Sequence, residues 1–506
     1  VQLVWLKRDL RVNDHAPLLR AATQGELICL YVYEDELLTS PEWDSSHSLF
    51  IEQSLRELAL ELSRRGGKLV CRRGRLPEVF AAIHRDYPIT SLYSHEETGN
   101  DITYQRDLRV GRWCQEQGIR WVEFQQTGVI RRLKSRDGWA RKWEERMRRP
   151  LLAAPRQISG PHLEGEIQSL SQLNLPDSQK TQAQRGGERQ AREWLDSFLS
   201  QRGQNYAKDL SSPVTGWQGC SRLSPYLAFG NVSLREVYQR SLRRKQDPSW
   251  GRSMTAFVSR LHWRCHFMQK LEDQPSLEFV NQCRSFDGLR EDEFRPDYFQ
   301  AWCDGRTGYP MVDACMRALH QTGWINFRMR AMLVSFASYH LWLHWRPTAV
   351  FLARHFLDFE AGIHFPQFQM QSGVTGINAI RIYNPIKQVS DHDPKGQFLR
   401  HYLPELSRLP DAYLAEPHKM PLALQEHLGV VIGRNYPAPI VNHTSAFHQA
   451  RERIFAARAE LDRQETQEVF LKHGSRKGPM SGNATRPRPV TRAQQASLFE
   501  EDEAIF

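Results

Sequence analysis

The eight cysteines of this 506-residue chain are scattered at positions 29, 71, 114, 220, 265, 283, 303 and 315, and no two form a C-x-x-C pair. That spacing offers neither a zinc ribbon nor a disulfide framework, so the thiols read as buried and free, and no metal centre is expected. No uninterrupted apolar run is long enough to cross a bilayer, and no basic-then-apolar segment opens the chain. Both absences predict a soluble, cytoplasmic protein without a membrane partner. The phosphate-cradling fingerprint G-x-G-x-x-G is missing after the first strand-like run; Lys7-Arg8-Asp9-Leu10-Arg11 stands there instead, which argues against a standard NAD-binding domain. Internal repeats are absent, and strand signals nearly vanish beyond residue 196.

What is present is ordinary globular composition, 40% hydrophobic and 25% charged, in a chain too long for one core. Sixty-eight basic against 58 acidic residues leave a net charge of +10, which favours a polyanion partner. Short apolar runs at Leu3–Leu6, Leu27–Val32, Lys68–Cys71, Ile89–Tyr93 and Arg120–Phe124 alternate with helical patterns at Leu49–Leu62, preceded by candidate caps at Asp44–Ser46, and at Pro77–Ile83 and Thr103–Cys114. Alternation of this kind predicts a doubly wound parallel sheet, an α/β domain over residues 1–130. Residues 131–195, rich in Arg, Gln, Ser and Pro, read as an interdomain connection containing one basic helix, Trp139–Arg148. Residues 196–465 read as an all-α domain, with helices at Leu234–Arg243, Met254–Leu271, Val312–Thr322, Asn326–Trp345 and Ala349–Phe356. Residues 466–506 read as a disordered tail.

The segment Ser221-Arg222-Leu223-Ser224-Pro225-Tyr226-Leu227-Ala228-Phe229-Gly230 sets hydroxyls and a guanidinium beside a helix start, where unpaired N–H groups can seat a phosphate. Taken alone it is equally a capped turn. Three further blocks follow the same order as in one known family: Trp5–Arg11 before it, then Gly305–Met316 with Thr322–Arg330, then Arg381-Ile382-Tyr383-Asn384-Pro385. With Tyr436–Val441 as a closing segment, the chain from residue 3 to about 456 resembles the DNA photolyase/cryptochrome superfamily.

The resemblance implies an N-terminal antenna domain and a C-terminal helical domain that holds FAD above a pocket for a flipped nucleotide. Tyr206, Cys220, Ser221, Arg222, Leu223 and Ser224 fall on positions for the FAD phosphates and ribitol, and Arg264, Phe359, Glu360 and His364 on positions around the flavin. Arg330 and Asp358 fall on an ion pair beside it, suited to a reduced, anionic flavin because a buried anion needs nearby cations or donors. His364 stands where Asn is common, and an imidazole there would titrate near neutral pH. For UV-damaged DNA, Arg260, Trp263, Phe327 and Met370 fall on lesion positions, and Arg328 and Arg381 on backbone positions. Trp263 keeps the flat face that suits an unstacked pyrimidine.

Several positions depart from the family pattern. Cys220 replaces Thr, Arg260 a Glu, Phe327 an Asn, and Phe368 and Met370 two Trp. Trp345 matches the middle of a three-tryptophan relay to the flavin, whereas Phe368 occupies the proximal position, which leaves Trp302, Trp342 and Trp345 as candidate carriers or core filling. With no Cys beyond Cys315, an iron–sulfur cluster of the four-cysteine subgroup is excluded. Ser94–Asn100 falls where the family binds an antenna of folate, lumazine or deazaflavin type, with Glu96 or Glu97 as acceptors. The implied activity is that of a monomeric deoxyribodipyrimidine photolyase, splitting cyclobutane pyrimidine dimers by electron transfer under blue light. A (6-4) photoproduct photolyase and a non-repairing cryptochrome photoreceptor are the alternatives. Separately, Gln495-Ala496-Ser497-Leu498-Phe499 resembles the pentapeptide by which bacterial repair proteins dock on the sliding clamp.

Overall fold

A computed structural model describes residues 1–475. Five parallel strands, β1 (Gln2–Leu6), β2 (Leu27–Tyr33), β3 (Leu69–Arg73), β4 (Ser91–His95) and β5 (Arg120–Phe124), form one sheet in the order β3-β2-β1-β4-β5. Gln2 is in register with Leu27 on one side and with Ser91 on the other. β1 and β2 are apolar almost throughout because both faces of a doubly wound sheet are covered. One face packs Trp5 against Phe80 and, further out, Trp113. The strand order reverses between β1 and β4, and the chain ends leaving that point open a crevice at the carboxyl edge of the sheet.

The second face belongs to both halves of the chain. Phe50, from the Ser45–Ser63 helix, packs on Tyr226 and Phe229, and one core runs from Val4 and Cys29 through Trp139 and Phe198 to Leu261. The Trp139–Arg148 helix forms as expected, but the connection also ends in a helix, Glu188–Ser200, whose Ala191, Leu195 and Phe198 join this core. The Ser45–Ser63 helix starts where the sequence placed its cap: the Asp44 carboxylate accepts from Ser46 N–H at 2.9 Å, and His47 Nδ1 accepts the Asp44 N–H in return.

Three expectations are corrected. Asn326–Trp345 is not one helix: Phe327–Ser335 passes into a π-helical turn, Phe336–His340, and a new helix begins at Trp345. Pro347 lacks the N–H that a continuing helix would need, yet it suits the first turn of a new one. The Ala361–Ser372 helix, absent from the sequence reading, forms in spite of Pro366 because it is packed along the Gly251–Asp273 helix. Gly362 permits that approach, since a Cβ there would stand 3.0 Å from Met268 Cα. Residues 466–473, read as tail, complete a helix, Arg463–His473. Asp462 caps it, and Glu465 pins it to the Arg284 N–H and the Ser285 N–H and hydroxyl.

Asp44 also pairs at 2.6 Å with Lys180, whose side chain is only 4% exposed. Replacing Asp44 by Ala removes a cap and leaves a buried ammonium without its partner, a change that costs about 3 kcal/mol or more. Urea unfolding of Asp44→Ala should show that loss; a loss below about 1 kcal/mol would mean that Lys180 finds water.

Candidate active site

The centre of the helical half is the turn 356–360, held from three sides. The turn's Asp358 accepts two hydrogen bonds from Arg330, 2.9 Å from Nη1 and 2.8 Å from Nη2, while Arg330 Nε donates to Ile325 O. Burial opposes ionisation of Asp358, but the Arg330 charge, its hydrogen bonds and the Ser224 hydroxyl hold the carboxyl below its usual range. Two residues on, Glu360 pairs at 2.5 Å with Arg264, which also donates to Leu227 O. His47 fixes the turn from the α/β side: its Nδ1 already accepts from Asp44, so Nε2 carries the proton donated to Phe356 O at 2.9 Å.

His364, 8% exposed, lies in the Ala361–Ser372 helix with Nε2 2.8 Å from Ala349 O. A carbonyl only accepts, so Nε2 bears the proton and Nδ1 is left as an acceptor. Burial, with the Arg330 charge adding to it, pushes the ring down to about 4 against the opposing pull of the Ala349 carbonyl. The expectation that His364 titrates near neutral pH is therefore corrected: the ring is neutral at pH 7. The rings of Phe368 and Phe359 pack on it at 4.5 and 5.2 Å.

Cys220–Ser224 forms a tight turn into the short Ser224–Ala228 helix. Arg202 holds it by donating to Cys220 O at 2.6 Å and Ser221 O at 3.3 Å. Burial pushes the Cys220 thiol up to about 12, leaving it neutral. Arg222 takes a left-handed backbone, φ 58°, and is 3% exposed. Its guanidinium lies 3.9 Å from the Trp217 ring centre and 4.1 Å from that of Trp324, and Nε donates to Gln184. Nη1 is buried without an acceptor, and among the described residues no carboxylate lies within ion-pair distance. Nearby, Asn326 donates to Leu210 O and Ser211 O, and its own Oδ1 is buried and unpartnered. Unmet polar atoms beside a cation suit the phosphate and ribityl groups of a dinucleotide. Trp217, Trp324, Gln184 and Arg202 were missed from sequence; a Trp beside Asn326 was the one visible hint.

The nucleic-acid candidates divide between the two packed helices and the Asn326 turn. Arg260, Trp263 and Arg264 recur at helical spacing on Gly251–Asp273, with Met370 on the helix packed against it; Trp263 and Met370 are half-buried. Phe327, 39% exposed, opens the helix that carries Arg328 and Arg330, and Arg381 is tied by its carbonyl to Ser335 of the same helix. Tyr206 is buried edge-on against Phe198 and Phe257, behind that surface. Among the described residues, the candidate carriers Trp302, Trp342 and Trp345 make no ring contact with one another. Trp345 is buried with its N–H on Asn281 Oδ1 at 2.7 Å, and among the described residues its ring contacts only that of His344.

The crevice at the sheet edge is lined by Lys7, Arg8, Glu34, Glu97 and Arg106, and from the helical half by Phe359 and Glu360. Arg106 bonds Glu34 at 2.7 Å and Glu97 at 2.6 Å, so Glu97 is already committed, and burial pushes Glu34 up to about 7. Beneath it the Asp9 carboxylate lies 3.0 Å from His15 Nε2 and 2.7 Å from His95 Nδ1. This trio has metal-ligand chemistry, but His15 Nδ1 accepts from Leu18 N–H, which places the proton on Nε2, the nitrogen that faces Asp9.

Fold and site together define a two-domain protein in which a doubly wound sheet and a helical cofactor domain share one core. Two family models match in sequence, "DNA photolyase" over residues 2–138 and "FAD binding domain of DNA photolyase" over residues 257–456. The chain belongs to the DNA photolyase/cryptochrome superfamily. It is 29% identical over 494 residues to the Cryptochrome DASH of Synechocystis, covering 89% of this chain and 96% of that one. It is 28% identical over 476 residues to the deoxyribodipyrimidine photo-lyase of Escherichia coli, covering 90% and 98%. The crystal structure of a bacterial class III photolyase from Agrobacterium tumefaciens superposes with a TM-score of 0.81 at 25% identity, over 90% and 97% of the two chains.

Burial depresses His47, His355 and His364 to about 4 and His95 and His340 to about 3. Unfolded imidazoles take up protons near 6.5, so between about 6.5 and 4 the unfolded state binds more protons, and folding stability falls as pH falls. Each ring contributes up to about 1.4 kcal/mol per pH unit. Denaturant unfolding at pH 7, 5.5 and 4.5 should show a steep decline; stability that is flat or rising across that window would contradict the neutral, buried rings.

Proposed function

We propose that this protein repairs UV-damaged DNA by splitting cyclobutane pyrimidine dimers under blue light. The observation that carries the reading is the joining of two surfaces at one turn. Arg330 and Arg264 fix Asp358 and Glu360 from helices that also present Phe327, Arg328, Arg260 and Trp263. Deoxyribodipyrimidine photo-lyases among the relatives support it. Bound FAD, once reduced, supplies the electron that opens the dimer.

The chain's own part is binding, orientation and exclusion of water. Ser221, Arg222, Leu223 and Ser224 hold the cofactor's phosphates, with the orphaned Arg222 Nη1 as the strongest donor. Arg330 supplies positive charge that Asp358 keeps in place, and His364 presents a neutral acceptor rather than a second cation. Trp263 and Met370 offer apolar faces to an unstacked base, Phe327 wedges at the lip, and Arg260, Arg328 and Arg381 meet the DNA. Trp345, buried with its N–H on Asn281, would serve to recharge the cofactor rather than act in the repair step.

The (6-4) reading needs a positioned histidine proton donor, for which His364, His262 and His266 are the candidates. His364 Nε2 already donates to Ala349 O, His262 is packed edge-on between Trp139 and Trp143 at 5.0 Å each, and His266 Nδ1 accepts from Arg136 at 2.6 Å, which leaves the Nε2 proton of His266 for that role. The photoreceptor reading rests on the cryptochrome relatives. We further propose an antenna chromophore in the crevice lined by Lys7, Glu34, Glu97 and Phe359, and docking on the sliding clamp through Gln495–Phe499, a segment outside the described residues.

Photoreduced holoprotein, illuminated with oligonucleotides carrying one dimer or one (6-4) photoproduct, should restore only the dimer, and not in darkness. An intact dimer with fully reduced flavin would favour the photoreceptor, and restoration of the (6-4) substrate alone would move the assignment to that lesion.

A further inference from the structure

Away from the turn 356–360, a second guanidinium is buried without a carboxylate. Arg290 is 2% exposed, and its Nε and Nη2 have no hydrogen-bond partner. Among the described residues no carboxylate lies within ion-pair distance of it; the adjacent Glu291 spends an oxygen on the Arg290 backbone N–H at 2.8 Å. Burial pulls Arg290 down only to about 10, so it is cationic at pH 7. What surrounds it is aromatic: its guanidinium carbon lies 4.4 Å from the Trp342 ring centre and 5.4 Å from that of Tyr339. Cation–π contact offsets part of the lost hydration but leaves the N–H groups unmet.

The two rings bring one hydroxyl, which can donate or accept, and one indole N–H, which only donates. The Tyr339 hydroxyl and the Trp342 indole N–H are both buried and unpartnered. Arg453 lies over the same indole at 4.1 Å, so a second cation stands there, and its own partner is Glu293 at the surface. Independent of these polar atoms, the backbone is strained at this spot. Trp342 adopts φ 52°, which L side chains rarely take, immediately after the π-helical turn Phe336–His340. Strain and π-turns persist where the surrounding structure fixes a side chain for use.

A buried cation ringed by unmet donors calls for an anion. We propose that Arg290, Tyr339 and Trp342 form a binding site for a small oxyanion of the phosphate class, held by the guanidinium with the phenol and indole as further donors. The anion is either free phosphate or the end of a phosphate monoester. Trp342 is also a candidate electron carrier to the flavin, whereas Arg290 and Tyr339 belong to neither the proposed flavin seat nor the DNA surface, and the test rests on those two.

Holoprotein, with FAD filling the Arg222 seat, should be titrated calorimetrically with inorganic phosphate and, separately, glycerol phosphate, against chloride at matched ionic strength. The expected result is one saturable phosphate per chain, lost in Arg290→Met and weakened about threefold or more in Tyr339→Phe, which keeps the ring. Uptake of glycerol phosphate as well would show that monoesters reach the site; uptake of phosphate alone would assign the free ion. Flavin absorbance checks that each variant is folded, and Tyr339→Phe carries the test if Arg290→Met is not. Absence of saturable phosphate uptake by the parent, or equal uptake by parent and variants, would overturn the proposal.

Discussion

Positive charge buried beside aromatic rings is the constraint around which the helical half is arranged. Stripping a guanidinium of water costs several kcal/mol unless a partner replaces the hydration. Where a carboxylate replaces it, as Asp358 does for Arg330 and Glu360 for Arg264, the pair locks two helices onto one turn. Where rings and a neutral amide replace it, as Trp217, Trp324 and Gln184 do for Arg222, hydrogen-bonding capacity is left over at Nη1 and points to an anionic ligand. The first kind of site builds the scaffold; the second kind receives something.

The shared core converts this local rule into interdomain geometry. The sheet's second face is covered by Tyr226 and Phe229, which directly follow the Cys220–Ser224 turn. His47 and Arg8, both from the α/β half, donate to Phe356 O and Phe359 O at 2.9 and 3.1 Å. The turn that carries Asp358 and Glu360 is thereby fixed against the crevice that its Phe359 and Glu360 help to line. The proposed transfer of energy from an antenna to a flavin would depend on that rigidity, and the two halves cannot slide without breaking a continuous apolar layer.

Legibility from the sequence followed the range of the forces involved. All five strands lay within a few residues of their apolar runs, and the cap at Asp44 was visible, because burial periodicity and capping are local. The Ala361–Ser372 helix went unread because the packing that carries it through Pro366 comes from a helix nearly a hundred residues away. The break at Trp342 was hidden because a π-turn leaves no pattern in composition. In the site, the ordered motifs pointed to Arg222, Arg330, Asp358 and His364. The stacking of Trp217 and Trp324 on Arg222 is purely tertiary, and Trp324 within the Thr322–Arg330 block was its one hint. The neutrality of His364 was misjudged since the ring's burial and the nearby Arg330 charge exist only in the folded chain.

The most direct test lies in the residue whose charge has no carboxylate. Arg222→Met keeps the side chain's length and its stacking against Trp217 and Trp324 but removes the orphaned donor. Purified variant and parent should be compared for bound flavin by absorbance and for flavin affinity by fluorescence titration. Loss of one charge-assisted contact should weaken affinity about tenfold or more, with helical content unchanged. A variant that binds flavin as tightly as the parent would contradict the assignment of Arg222 as the phosphate seat.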